Sequence, residues 1–237
     1  MRPAPFASCP RSGARVPYTG VMNEWDERRE AYERSAVHRA GADLDMVVEW
    51  CRPAPGVTAL DIATGGGHVA RRLRERGCAV TTCDAAAGME PDVVCPAEAL
   101  PFHDRTFDVA VCRLAAHHFN DPEAAVREMA RVSRGLVVIE DGLHNDERVE
   151  EAERLRDATH VRAYTKSEWL AMLSAAGLEV VDAAQHPRRH VFAEWLACTG
   201  CNGETAVRVR ELLAHRTEPG GEAWFDTKLI VKAAKLG

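Results

Sequence analysis

The apolar positions of the chain fall into blocks whose period changes from one block to the next. Between Glu24 and Arg39 a charged stretch carries Trp25, Tyr32, Ala36 and Val37 at the spacing of one helix face. Gly41-Ala42-Asp43 interrupts it. Asp43 is placed to N-cap a second short helix bearing Leu44, Val47, Val48 and Trp50, which must end before Pro53 and Pro55. The run Val57 to Ile62 then reads as a strand. It passes through Thr64-Gly65-Gly66-Gly67 and resumes at helical spacing in Val69 to Leu73. Strand patterns recur at Ala79–Asp84, Phe107–Cys112, Gly135–Asp141, Leu178–Ala184 and Ala223–Lys232, with only a stub at Pro91–Cys95. Phe107–Cys112 is apolar enough to be buried on both faces, as parallel strands are.

Helical patterns lie between these strands. Asn120 or Asp121, with Pro122, starts a helix over Glu123–Ser133. Two more cover Glu147–Asp157 and Lys166–Ala176, the second capped by Thr165 and ended by Gly177. A helical pair, one member with Trp195 and Leu196 and the other with Val207, Leu212 and Leu213, falls between Arg188 and His215. The alternation predicts an α/β, Rossmann-like, doubly wound and mostly parallel sheet of seven strands. Its third strand is short, N-terminal helices span 22–52, and a helical insertion at 188–220 precedes the last strand. Residues 22–237 form one domain in this reading, and residues 1–21 a disordered leader, with Met22 an alternative start.

The turn after the first strand carries the first chemical signal. Glycine permits positive φ and close approach of a ligand to the backbone. The following helix offers free N–H groups and the positive end of its dipole. A nucleotide-type site also wants a second strand ending in an acid about 20 residues on, and Asp84 ends Ala79–Asp84.

Composition narrows the alternatives. The chain has 237 residues, 46% of them hydrophobic, and a net charge of −6 with both signs interspersed. No basic stripe is present, which disfavours a nucleic-acid partner. No apolar run approaches the ~18 residues of a membrane span. Pro3, Pro5, Pro10, Pro17, three arginines and no acid fill residues 1–20, without the apolar core of a signal peptide. A cytoplasmic protein with reduced thiols is the expectation. Of eight cysteines, Cys83, Cys95 and Cys112 sit in strand patterns as small apolar residues. Cys198-Thr199-Gly200-Cys201 is the only CxxC; zinc would need further ligands, and His215 alone does not supply them, so no metal is expected.

Asp61-Ile62-Ala63-Thr64-Gly65-Gly66-Gly67, Asp84, Ala97-Glu98-Ala99-Leu100-Pro101-Phe102, Phe107-Asp108-Val109 and a helix leading to Gly135-Leu136 occur in one order. That ordered set, covering Tyr32 to Val181, resembles the class I S-adenosylmethionine-dependent methyltransferases. Within them it is most similar to the small-molecule branch (methyltransferase type 11) that includes quinone and natural-product enzymes. The glycine turn alone is a weak signal; the set is a specific one. The resemblance implies S-adenosyl-L-methionine as cofactor. Asp61, Ala63, Thr64, Gly65 and Gly67 would wrap its amino-acid end, with Asp61 bridging to the amino group. Asp84 would accept from both ribose hydroxyls, a geometrically selective contact for a carboxylate. Met89 would pack on adenine, Ala97 and Glu98 border it, and Arg113 and Leu114 line the methionine side. Tyr32, His38 and Arg39 would belong to a lid, where Arg39 pairs with the cofactor carboxylate or is simply a solvated helix charge. Two departures stand out. Ala63 replaces the first glycine of the motif, which is tolerable where φ stays negative. Asp84 to Glu98 is also short, so that Pro96 or Ala97 stands where an aspartate often meets adenine.

Methyl transfer from a sulfonium is an in-line displacement, so holding nucleophile and methyl in alignment is the main task. A base is needed only where the acceptor must lose a proton, and histidine suits that near neutral pH. His117 and His118, just past the fourth strand, are the first candidates, one of the two being structural. His144 and His160 are weaker ones. Phe192, Trp195 and Leu196 cap the acceptor pocket, pack internally or form a homodimer surface. The expected activity is methylation of an O, N or C atom of a small molecule, a secondary metabolite or quinone-like acceptor. The alternative is a non-methylating cofactor-binding relative that serves as a regulatory or scaffold protein.

Overall fold

Seven strands form one twisted sheet in the order β3-β2-β1-β4-β5-β7-β6. The structure, a computed structural model, describes residues 36–235 together with Arg29 and Glu33. The leader, Trp25 and Tyr32 lie outside the described residues. In chain order the elements begin with α1 (Ala36–Arg39), α2 (Ala42–Trp50), β1 (Thr58–Ile62), α3 (His68–Glu75), β2 (Ala79–Asp84) and β3 (Val93–Val94). They continue with β4 (Phe107–Arg113), α4 (Pro122–Val132), β5 (Ser133–Gly142), α5 (Glu147–Arg156) and α6 (Lys166–Ala175). The last are β6 (Leu178–Val191), α7 (Phe192–Ala197), α8 (Gly203–Leu212) and β7 (Ala223–Lys235). Strands β1 to β5 are parallel, while β7 runs antiparallel to both β5 and β6.

Side chains alternate across a strand, and here both faces are covered. Ala59, Val109, Val111 and Val138 pack with Leu44, Val47, Val69 and Leu73 of α2 and α3. Leu60, Ile62, Ala110, Cys112, Val137 and Ile139 pack on the other face with Met129 of α4 and Trp169 and Leu173 of α6. Two-sided burial is why these strands read as continuous apolar runs. The sequence winds outward from β1 to β3 and then returns to β4. The β1/β4 boundary is therefore the topological switch point, where open α/β sheets place their ligands.

Several local expectations are refined. The residue capping α2 is Gly41, at φ 145°, not Asp43. Asp43 lies inside the helix with its carboxylate turned to Arg113 and Lys228. Asp121 rather than Asn120 caps α4, taking the Ala124 N–H at 2.8 Å. Thr165 and Glu168 form a reciprocal capping box at α6. Strand β6 continues to Val191, where it pairs with Ala223 of β7. Arg188 to Val191 thus belong to a strand, and the helical insertion begins at Phe192. A two-stranded arm can extend past the sheet here because α5, α7 and α8 close over it. Their cluster joins Val149, Phe192, Trp195, Leu196, Val209, Leu212 and Trp224.

Charge is buried at one place. The Arg113 guanidinium donates to Glu140 at 2.6 Å, to Asp43 at 2.6 Å and to the His38 carbonyl at 3.0 Å. Lys228 bonds Asp43 and lies 2.9 Å from Glu140. The four side chains are at most 12% exposed. They tie α1 and α2 to β4, β5 and β7. Among the described residues no helix is long and apolar enough to cross a membrane.

Candidate functional site

Beyond the carboxyl ends of β1, β2 and β4 lies a cleft of about 1080 Å³, open mouth included. Asp61, one residue before the end of β1, lies at the cleft floor and is 2% exposed. It accepts from Thr64 Oγ1 at 2.7 Å and from the Ala70 N–H at 3.1 Å. Burial nevertheless pushes its carboxyl up to about 6. Asp84, ending β2, takes the N–H of Gly65 at 3.0 Å and that of Ala86 at 2.9 Å. Met89, Cys95, Pro96, Ala97 and Glu98 close one end, and Arg113, Leu114 and Ala115 the other. Glu98 is anchored by the N–H groups of Asn120 and Asp121.

The turn itself departs from expectation at Ala63, which sits at φ 53° and not at a negative angle. An L-residue in the left-handed region costs about 1–2 kcal/mol. Gly65 and Gly67, also at positive φ, have open space where a Cβ would lie, so a ligand can approach the backbone there. Ala63→Gly should therefore stabilise the protein by up to about 1 kcal/mol after the entropy of the unfolded glycine is counted. Urea unfolding measures it, and a loss of stability would show that the Ala63 methyl packs to more effect than its strain costs.

A second cavity, of about 960 Å³, shares His38, Leu114 and His118 with the first. Three candidate histidines meet at its wall, with ring centroids 4.0 Å apart for His117 and His118 and 5.5 Å for His117 and His160. The short 3-10 turn Ala116–His118 permits this. An extended chain would have sent the neighbouring rings apart. His117 Nδ1 donates to Asp141 at 2.6 Å, and Asp141 also takes the His117 N–H at 2.8 Å. Burial favours the neutral ring, but the Asp141 charge outweighs it and raises the His117 pKa. With Nδ1 so engaged, Nε2 carries the lone pair.

His118 donates from Nδ1 to the Thr159 carbonyl at 2.9 Å. Burial, then the neighbouring His117, holds it well below its ordinary pKa. His160 Nε2 bonds Glu150 at 2.8 Å. His144 lines neither cavity and stands 3.4 Å from Glu147. Arg39 is exposed and also lines neither, while its neighbour His38 faces both. The Arg113 side chain is committed to the buried ion cluster. Trp195 faces the second cavity under the Arg156 guanidinium at 4.3 Å, whereas Phe192 is fully packed.

His38, expected in the lid, faces both cavities, while the sequence did not mark His68 in the first or Arg156, Arg188, His190 and Asp226 in the second. His68 directly follows the glycines, and that position is the signal for it. Arg188, His190 and Asp226 come from the antiparallel arm and Arg156 from the end of α5, far apart in sequence. No cluster of three or more metal-ligating side chains occurs among the described residues.

A family described as a methyltransferase domain matches residues 25–183. The uncharacterized methyltransferase YcgJ of Bacillus subtilis is 32% identical over 221 residues, covering 84% of this chain and 86% of that protein. The ubiquinone/menaquinone biosynthesis C-methyltransferase UbiE of Xanthomonas campestris is 37% identical over 134 residues, 48% of this chain and 52% of that one. A solved structure of a methyltransferase from Bacillus halodurans superposes with a TM-score of 0.72 at 27% identity, over 83% of this chain and all of the other. Sheet order, glycine turn and paired acids define a Rossmann-like enzyme that binds an adenosyl cofactor. This chain belongs to the class I S-adenosylmethionine-dependent methyltransferases. Its cofactor is S-adenosyl-L-methionine, and the buried carboxylate, the open glycine backbone and the apolar end of the first cleft suit that molecule.

Proposed function

We propose that the first cleft holds S-adenosylmethionine and that the second holds a small-molecule acceptor, methylated at O, N or C. The observation that carries this is the wall common to both cavities, His38, Leu114 and His118, beside which His117 offers Nε2. When bound, the cofactor supplies a sulfonium methyl open to in-line displacement. Asp84 binds the ribose hydroxyls. Asp61, made reluctant to ionise by burial, is suited to a cationic amino group. Met89, Cys95, Pro96 and Ala97 enclose the adenine, with backbone groups replacing the acid that the short β2-to-β3 segment omits.

On the acceptor side, His117 takes the proton of a hydroxyl or amine at Nε2 while Asp141 holds the ring's orientation. His118 and His160 are held by Thr159 and Glu150 and shape the wall. Trp195, Leu114, Leu143 and Val149 give the cavity an apolar side. The kinship with an enzyme of quinone methylation supports an acceptor of mixed aromatic and polar character, such as a quinone-like compound or a secondary metabolite.

Calorimetry with S-adenosylhomocysteine, followed by transfer of labelled methyl to a panel of phenols, quinols and hydroxy acids, tests this reading. Binding together with transfer supports it. Binding with no transfer to any panel member favours the scaffold alternative, and no binding overturns the assignment. Asp84→Ala should weaken S-adenosylhomocysteine by about 10- to 150-fold, the worth of a charged hydrogen bond. An unchanged affinity would remove Asp84 from the cofactor site.

A further inference from the structure

We infer that the acceptor carries a carboxylate, anchored by Arg188, with a hydrogen-bond donor beside it that meets Nδ1 of His190; this rests on the second cavity being the acceptor site. Arg188 and His190 are two residues apart on β6, hence on one face of the strand, and both line that cavity. The Arg188 Nε is buried without a hydrogen-bond partner. No carboxylate lies within ion-pair distance of Arg188 among the described residues. Asp226 is its cross-strand neighbour in register, but it gives Oδ2 to His190 Nε2 at 2.9 Å, leaves Oδ1 without a hydrogen-bond partner and meets Arg188 by charge alone. The other guanidinium of the cavity, Arg156, is already paired with Glu153 at 2.9 Å. A buried guanidinium N–H without an acceptor is costly, and a ligand carboxylate that supplies the acceptor recovers that cost.

His190 defines the second half of the group recognised. It is 2% exposed and stacked on Trp224 at 4.6 Å and 14°. Its Nε2–H donates to Asp226, which leaves Nδ1 as a bare acceptor with no partner in the protein. Burial outweighs the Asp226 charge and keeps the ring neutral. A donor-only guanidinium beside an acceptor-only nitrogen fits a carboxylate next to a hydroxyl or amine. The bidentate match of guanidinium and carboxylate adds geometric selectivity. Glu150, Glu153, Glu194 and Asp226 line the same cavity. These acids oppose a dianionic phosphate more strongly than a monoanion, whose single charge the Arg188 guanidinium can neutralise. Arg188 also acts on His38 by its charge, which places the anchor near the wall shared with the cofactor cleft.

The test uses the full chain saturated with S-adenosylhomocysteine, titrated with 3-hydroxybenzoate, 3-hydroxybenzamide and phenyl phosphate. The carboxylate should bind at least about tenfold more tightly than the amide or the phosphate, in line with a charge-assisted bond. Arg188→Gln should lose at least that factor while keeping its melting temperature and its affinity for S-adenosylhomocysteine. Equal binding of amide and carboxylate, tighter binding of the phosphate, or no binding of any probe overturns the inference. So does an Arg188→Gln variant that unfolds more easily yet binds 3-hydroxybenzoate normally, which would mean that Arg188 serves Asp226 alone. Failure to bind S-adenosylhomocysteine at the outset would instead bring down the underlying reading, and this inference with it.

Discussion

Replacing His117 by asparagine is expected to lower kcat by about a hundred- to ten-thousand-fold, the range of a lost general base. Asparagine keeps a donor for Asp141 and has no basic nitrogen, so the local hydrogen bond survives while the proton acceptor does not. The affinity for S-adenosylhomocysteine should stay within about twofold, since His117 lines the second cavity and not the first. The pH profile separates chemistry from structure. A base acts unprotonated, so the rate falls as pH drops through its pKa. Asp141 raises that pKa above the ordinary 6.5, and the acid limb of the wild-type profile should lie above that value. In the variant the limb should vanish. A variant with full activity, or one that keeps the same limb, would assign the proton transfer elsewhere.

The second large effect concerns stability. Lys228→Met should destabilise the protein by about 3–5 kcal/mol, the cost of removing one partner from a buried ion pair. Lys228 is 3% exposed and is one of two cations facing Asp43 and Glu140. Without it, two carboxylates share Arg113. Burial tends to raise the Asp43 pKa, but Lys228 and Arg113 override it and hold the carboxyl well below 3.8. A depressed folded pKa contributes stability that is present above the unfolded value and lost as pH falls through the folded one. The gap between wild type and variant should therefore narrow in acid below about pH 4. Urea unfolding at neutral and acid pH measures both. A loss under 1 kcal/mol would mean that the cluster stands on Arg113 alone.

The centre of the sheet was legible because β1, β4 and β5 are buried on two faces and bounded by turn residues. Thr58–Ile62 with its glycines and Asp84 mark the first cleft from local pattern alone. The capping box at Thr165 and the short β3 were equally plain, since both depend on neighbours within a few residues. Three things were not. Ala63 carries no mark of positive φ, because Cys83 and Asp84 of the next strand fix the turn through Thr64 N–H and Gly65 N–H. Asp43 has the composition of a cap, yet its role is set by Lys228, 185 residues away. The polar wall of the second cavity alternates along β6 in the manner of any exposed strand. Only the closure of α7 over it turns Arg188 and His190 inward.

The long arm of β6 and β7 divides the enzyme into two parts with separate histories of change open to them. The first cleft is made by loops after β1, β2 and β4, whereas Arg188, His190, Trp195 and Asp226 of the second all come from the arm and the helix it carries. Under the proposed assignment of the two cavities, substitutions along the arm alter what is methylated without touching what supplies the methyl group. The arm is thus the place to retarget this catalyst, and a library confined to Arg188–Cys198 and Asp226 would search acceptors at a fixed donor.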